Sequence, residues 1–265
     1  MFVSNTDKLI ADQQGPVAWI TFNNPARHNA MSMSMWAALA DAVAHFEAAP
    51  EVRVIVLKGA GDKAFVSGAD ISEFKEKRSS PESVKLYNEV AGRANERLHQ
   101  AAKPTIAMIR GYCIGGGLGL AMGCDLRIAS VGSTFAVPAA KLGLGYDFKG
   151  VRKLVDVVGP SFAKEIFFTA RQFTSAEALT MGLVNRVVPP SELDEYVNEY
   201  ARTIAANAPL TVGSIKTIVS EMLKDEAVRD MTLCSEVVDR CFKSEDYVEG
   251  RTAFMEKRVP QFKGR

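Results

Sequence analysis

The sequence is poor in the features that would assign it to most function classes. Of its 265 residues only four are cysteines, at positions 113, 124, 234 and 241, with no CxxC spacing. That spacing excludes a disulfide framework and a structural zinc site, so they read as reduced thiols. The three histidines, His28, His45 and His99, show no metal-ligand spacing, and no metal is expected. No apolar run approaches the roughly 18 residues of a membrane span, and the first residues lack a charged-then-apolar leader, so a cytoplasmic protein is expected. Charge of either sign is also lacking in excess: 32 basic against 31 acidic residues leave a formal +1. Without a basic stripe, neither nucleic acid nor a membrane surface is an expected partner. Any anion must be held by local geometry.

What is present is an alternation of short apolar runs with helical periods, over a length sufficient to bury a large core. Val17–Phe22 and residues 52–58 read as strands around a helix at 33–46, a βαβ opening. A Gly/Ala/Asp-rich loop at 59–70 follows, then a polar helix at about 81–101 and a buried strand at Thr105–Ile109. Residues 111–125 pass from a glycine turn into a small-residue helix, and 126–129 and 133–136 are strand-like. Beyond Lys149 the pattern becomes helical, with one strand-like run at 183–188, the break Pro189-Pro190, and helical periods over 192–207, 210–223, 226–242 and 244–257. The expected division is a core at 1–190 and a helical region at 191–265.

Two small-residue segments stand out, each directly after a strand. Gly115-Gly116-Gly117 opens a helix, where free backbone N–H groups meet the positive end of the helix dipole and can hold an oxyanion. It is not a dinucleotide fingerprint, because no acidic residue follows at about 20 positions, and not a phosphate loop, because no Gly-Lys-Ser/Thr follows. The second segment is Ala64-Phe-Val-Ser-Gly-Ala-Asp-Ile-Ser-Glu73. Close packing or an ordinary strand-to-helix connection would also account for either alone. Their pairing, with Ser67 and Gly116 49 positions apart at the ends of strands in one α/β architecture, lets two N–H groups converge on one oxygen.

These segments, together with Arg27-His-Asn-Ala-Met31, Ala178-Leu-Thr-Met-Gly-Leu-Val-Asn-Arg-Val-Val188 and Ala253-Phe-Met-Glu-Lys-Arg258, make the sequence resemble the enoyl-CoA hydratase/isomerase (crotonase) family over essentially its whole length. The resemblance implies an α/β spiral of ββα turns with a C-terminal helical trimerisation region, in a homotrimer or dimer of trimers. It implies an acyl-CoA thioester substrate, with coenzyme A entering only as part of that substrate and no permanently bound cofactor. It assigns an oxyanion hole to the N–H groups of Ser67 and Gly116. Contacts to CoA or the acyl group fall at Arg27, Asn29, Ala30, Gly68, Ala69, Asp70, Ile71, Gly115 and Ala139, and Phe254 and Lys257 match tail positions that reach a neighbour's CoA.

The family's hydratases use two glutamates to position and deprotonate water; here those positions hold Gly119 and Ala139, which transfer no proton. The turn Lys141-Leu-Gly-Leu-Gly-Tyr146-Asp147-Phe-Lys-Gly150 lines the acyl pocket in the family, and together with the tail it most resembles the methylmalonyl-CoA decarboxylase branch. That branch carries asparagine at the position of Asp147 and histidine at that of Ala69. Dienoyl-CoA isomerases carry a working aspartate that aligns with Asp147. Two enzymic readings remain open: decarboxylation of a malonyl-type thioester with Tyr146 as orienter, or double-bond isomerisation with Asp147 as acid/base. A hydratase using Asp147 and a non-catalytic CoA-binding paralogue are the alternatives.

Overall fold

The structure, a computed structural model, describes residues 2–70 and 81–265. Strands β1 (Leu9–Gln14) and β2 (Val17–Phe22) form an antiparallel hairpin closed by Gly15 at φ 60 and Pro16. Glycine at the first loop position suits a tight primed turn. A 3-10 turn at Pro25–Arg27 leads into α1 (Met33–Ala48), which Ser32 caps by accepting from the Met35 amide at 3.2 Å. The chain then runs β3 (Val54–Gly59), β4 (Ala64–Val66), α2 (Pro81–His99), β5 (Thr105–Ile109), β6 (Tyr112–Ile114), α3 (Gly116–Gly123), β7 (Leu126–Ser130), β8 (Thr134–Ala136) and α4 (Ala139–Leu142). After these come α5 (Phe148–Thr169), β9 (Phe173–Thr174), α6 (Ser175–Thr180) and β10 (Arg186–Val188). The last four helices are α7 (Leu193–Ala206), α8 (Pro209–Met222), α9 (Met231–Phe242) and α10 (Glu245–Glu256).

Two sheets organise the spiral. One runs β1-β2-β3-β5-β7-β10, parallel after its first hairpin; the other runs β4-β6-β8-β9, parallel except for its last pair. Each of β3, β5 and β7 is followed at once by a strand of the second sheet and then by a helix, so the ββα turn repeats three times. The fold is the expected crotonase spiral.

Side chains alternate across the first sheet with the strand period of two. Ile20, Ile55, Leu57, Ala107 and Ile109 enter the main core with Phe65, Leu118 and Phe135, whereas Trp19, Val54, Val56, Ile106 and Met108 enter a second one. Leu193, Val197, Ala201 and Ala205 of α7 close that second core, so α7 packs with the sheet. The helices from Pro209 onward leave Ile215, Met222, Phe242, Phe254 and Met255 exposed. Among the described residues no helix is long and apolar enough to cross a membrane.

The strands that the sequence pattern does not mark, β1, β4, β6 and β9, are a polar edge strand and three pieces of three residues or fewer. Their alternation is too short or too polar to signal a strand, and pairing with neighbours decides them. The helical period at 226–242 divides into a 3-10 turn, Glu226–Val228, and α9, where Asp230 caps the new helix by accepting from Leu233 at 2.8 Å.

Candidate functional site

The site is built where β4 and β6 end. These strands are parallel neighbours, Ala64 opposite Tyr112 and Val66 beside Cys113, so the loops that leave them emerge on the same side. After β4 the chain enters residues 67–70; after β6 it turns through Gly115, at φ 55 and ψ −116, into α3. Only glycine adopts that conformation without strain. The Gly115 amide is committed to the Ala136 carbonyl at 2.8 Å. Gly117 lies flat on the end of β4: a Cβ there would stand 2.0 Å from the Val66 carbonyl oxygen. A Cβ on Gly116 would stand 3.9 Å from the Ala69 nitrogen, so the two segments adjoin. Gly116 is the first residue of α3, where backbone N–H groups lack intrahelical acceptors and the dipole is positive. At the other end of α3, buried Arg127 donates to the carbonyls of Cys124 at 2.7 Å and Ala121 at 3.3 Å.

The Ser67 amide donates to the His28 carbonyl at 3.1 Å, and its hydroxyl to the Arg27 carbonyl at 3.4 Å. A thioester oxygen would therefore share the Ser67 amide with His28. His28 and Asn29 both have positive φ, 50 and 55, a backbone conformation that side-chain-bearing residues seldom adopt and that packing must hold. The Asn29 side chain supplies that packing. It is fully buried, donates to the Ala60 and Ala64 carbonyls at 2.9 and 2.7 Å, and accepts from the Asn24 amide at 3.0 Å. Asn29 is thus a bracket for the loop, and Ala30 beside it is buried as well. Met31 then forms a bridge to Ala69, its amide donating to Gly68 at 2.8 Å and its carbonyl accepting from Asp70 at 2.9 Å. The buried Asp70 carboxylate lies 3.5 Å from the half-exposed Arg27 guanidinium. Arg27 is thereby held at the rim with donors turned to solvent, a placement suited to a phosphate. Ile71 lies outside the described residues.

The positions of the hydratase glutamates hold no ionisable group. Gly119 is exposed, and a Cβ there would meet nothing within 4 Å; Ala139 is buried at the start of α4. Lys141 through Lys149 are exposed throughout. Tyr146 is 43% exposed, with its ring edge-on to Phe167 at 5.0 Å. Burial and the neighbouring Asp147 carboxylate push its phenol above the ordinary range, so at neutral pH it is a protonated donor. Asp147 is the N-cap of α5, its Oδ1 accepting from the Gly150 amide at 2.7 Å. Cys113, one strand residue from the turn, is fully buried and its thiol pushed far up by desolvation, so it is no nucleophile.

Phe254 and Lys257 stand apart from these groups, at the end of α10. Phe254 is 82% exposed and lines an apolar groove of about 850 Å³ with Leu210, Phe242, Tyr247 and Phe262. Among the described residues no group of three or more His, Cys, Asp or Glu side chains could hold a metal ion.

Two residues at the site carry no motif. Trp36 of α1, 3% exposed, places its Cζ2 3.8 Å from a Cβ built on Gly116, and its Nε1 donates to the Tyr87 hydroxyl at 2.9 Å. In sequence both read as apolar positions of amphipathic helices, and only the packing brings them to the turn.

Known proteins agree with this architecture over its whole extent. The chain is 36% identical to a short-chain-enoyl-CoA hydratase of Clostridium acetobutylicum, covering 98% of this chain and 99% of that protein. It is 35% identical to a carnitinyl-CoA dehydratase of Salmonella typhi, covering 98% and 100%. Among solved structures, an enoyl-CoA hydratase/carnithine racemase of Magnetospirillum magneticum superposes with a TM-score of 0.94 at 36% identity, over 98% of this chain and 97% of the other. A profile of the enoyl-CoA hydratase/isomerase family matches residues 12–265, and the chain belongs to that family, within the crotonase superfamily.

Proposed function

We propose that this enzyme uses the amides of Ser67 and Gly116 to hold the oxygen of a thioester enolate formed without the family's two-glutamate water chemistry. The observation that carries the reading is a contrast within one site. The turn at 115–117 lies against the 67–70 loop, while Gly119 and Ala139 supply no acid or base. Two fixed donors favour the enolate over the ground-state carbonyl, and each is worth about 3 kcal/mol in the transition state.

Decarboxylation of a malonyl-type acyl-CoA suits these residues best. The bond between the α-carbon and the carboxylate breaks, CO₂ leaves, and the electron pair passes into the enolate held by the two amides. The α-carbon then takes a proton from solvent. No general base is required, which matches a site where Asp147 already serves as a helix cap. Tyr146, a neutral donor, orients the departing carboxylate. Isomerisation of an enoyl-CoA is the second lyase-or-isomerase reading, with Asp147 moving the proton. The names of the relatives favour a third, hydration, which in this chain would also fall to Asp147. A homotrimer or dimer of trimers, supported by the exposed apolar side chains around Phe254, would bring that residue and Lys257 to a neighbouring site.

The test is a panel of methylmalonyl-, malonyl-, crotonyl-, 3-enoyl- and dienoyl-CoA read by mass spectrometry and chromatography. Loss of CO₂ supports decarboxylation, and a shifted double bond at unchanged mass supports isomerisation. Absence of turnover across the panel, with binding retained, would make the chain a non-catalytic CoA-binding protein.

A further inference from the structure

We propose that Trp36 and Tyr87 form a positioning pair that sets the gap between the two amide donors and so governs how strongly a bound thioester carbonyl is polarised. The inference rests on the thioester reading above and adds residues that the glycine motifs do not contain.

The physical basis is that one short segment touches both halves of the site. The Met31 backbone is hydrogen-bonded to residues 68 and 70, and five residues later the Trp36 ring stands beside Gly116, its Cζ2 3.8 Å from where a Cβ on that glycine would lie. The spacer between them is stiff. The Ser32 hydroxyl caps α1 by accepting from Met35, and the Ser32 carbonyl accepts from the Trp36 amide at 3.1 Å. With the backbone fixed, the indole could still change rotamer, and its hydrogen bond to Tyr87 removes that freedom. Tyr87 is itself buried on α2, and α2 is braced on the far end of α3, where a Cβ on Gly123 would stand 3.4 Å from Leu98. The indole is thus pinned between α1, α2 and the first residue of α3. The ring and the 67–70 loop face the same side of Gly116, so a rotation of the ring would leave space beside the turn and let the gap between turn and loop change. A donor displaced by a fraction of an ångström loses much of its effect in the transition state.

The experiment uses the full chain and a cinnamoyl-type CoA thioester, whose absorption moves to the red as its carbonyl is polarised. The parent protein should bind it with a red shift. Trp36→Phe keeps an aromatic ring on α1 but lacks the N–H, and Tyr87→Phe removes a single oxygen. Each should at least halve the red shift and lower kcat roughly tenfold, with KM little changed because the CoA contacts are untouched. Trp19→Phe, in the second core, should leave the shift as in the parent. If Trp36→Phe folds poorly, Tyr87→Phe carries the test. Parent-like red shift and kcat in Tyr87→Phe would overturn the positioning role while leaving the thioester reading intact. A parent protein that binds the thioester with no red shift would overturn both.

Discussion

The glycine turn at 115–117 and the segment at 141–150 are built in opposite ways. At the turn, Gly117 admits no Cβ, Asn29 is saturated with backbone partners, and Met31 is hydrogen-bonded to residues 68 and 70. The 141–149 stretch is exposed at every residue, and its one carboxylate caps a helix. On the proposed function, the donors that would stabilise an enolate are fixed by the fold, whereas Tyr146 and Asp147, which would decide how the enolate arises and is quenched, sit where substitution costs little. One architecture can then serve several reactions by changing few side chains.

The largest effect should come from forcing the fixed half apart. Gly117→Ala drives a methyl group into the Val66 carbonyl, and we expect destabilisation of about 3 kcal/mol together with loss of turnover, measured by thermal unfolding and acyl-CoA assay. Next, Ser67→Pro removes one donor and should lower kcat roughly 100-fold or more, whereas Ser67→Ala, which keeps the amide, should stay within a few-fold of the parent. Equal effects of the two substitutions would assign the role to the hydroxyl. In the exposed half, Tyr146→Phe should lower kcat for a malonyl-type substrate roughly tenfold, the worth of one hydrogen bond to a charged group. Asp147→Asn should change neither Tm nor decarboxylation, because asparagine caps as well as aspartate. Abolished turnover in that variant would make Asp147 the proton carrier.

The smallest effect lies far from the site. The Arg258 guanidinium and the Gln261 amide hold the Glu249 carboxyl down to about 2, from an ordinary 4.5. A carboxylate lowered on folding stabilises the fold above its unfolded value, and that contribution fades as pH falls from about 4.5 toward 2. Glu249→Gln should therefore lower Tm slightly at neutral pH, and the difference from the parent should close in that acid window.

The sequence made the spiral legible through its long buried strands. Val17–Phe22 and Thr105–Ile109 are apolar at nearly every position, as strands covered on both faces must be. It concealed β4, β6 and β9, because two or three residues carry no period, although β4 and β6 are the strands that lead into the 67–70 loop and the glycine turn. The glycines at 115–117 pointed to the turn, since backbone approach leaves a mark in composition. The role of Asn29 as a bracket and the placement of Trp36 beside Gly116 left none, because a buried polar side chain's partners and an indole's orientation are settled only by tertiary packing.

The most direct test of an enolate site without hydratase machinery is the rate at which crotonyl-CoA gains water. The parent should add none while still processing a malonyl-type or 3-enoyl thioester. The double variant Gly119→Glu with Ala139→Glu should acquire hydration, since the Cβ direction at residue 119 is open. Rapid hydration of crotonyl-CoA by the parent chain, at a rate the added glutamates do not raise, would contradict the account.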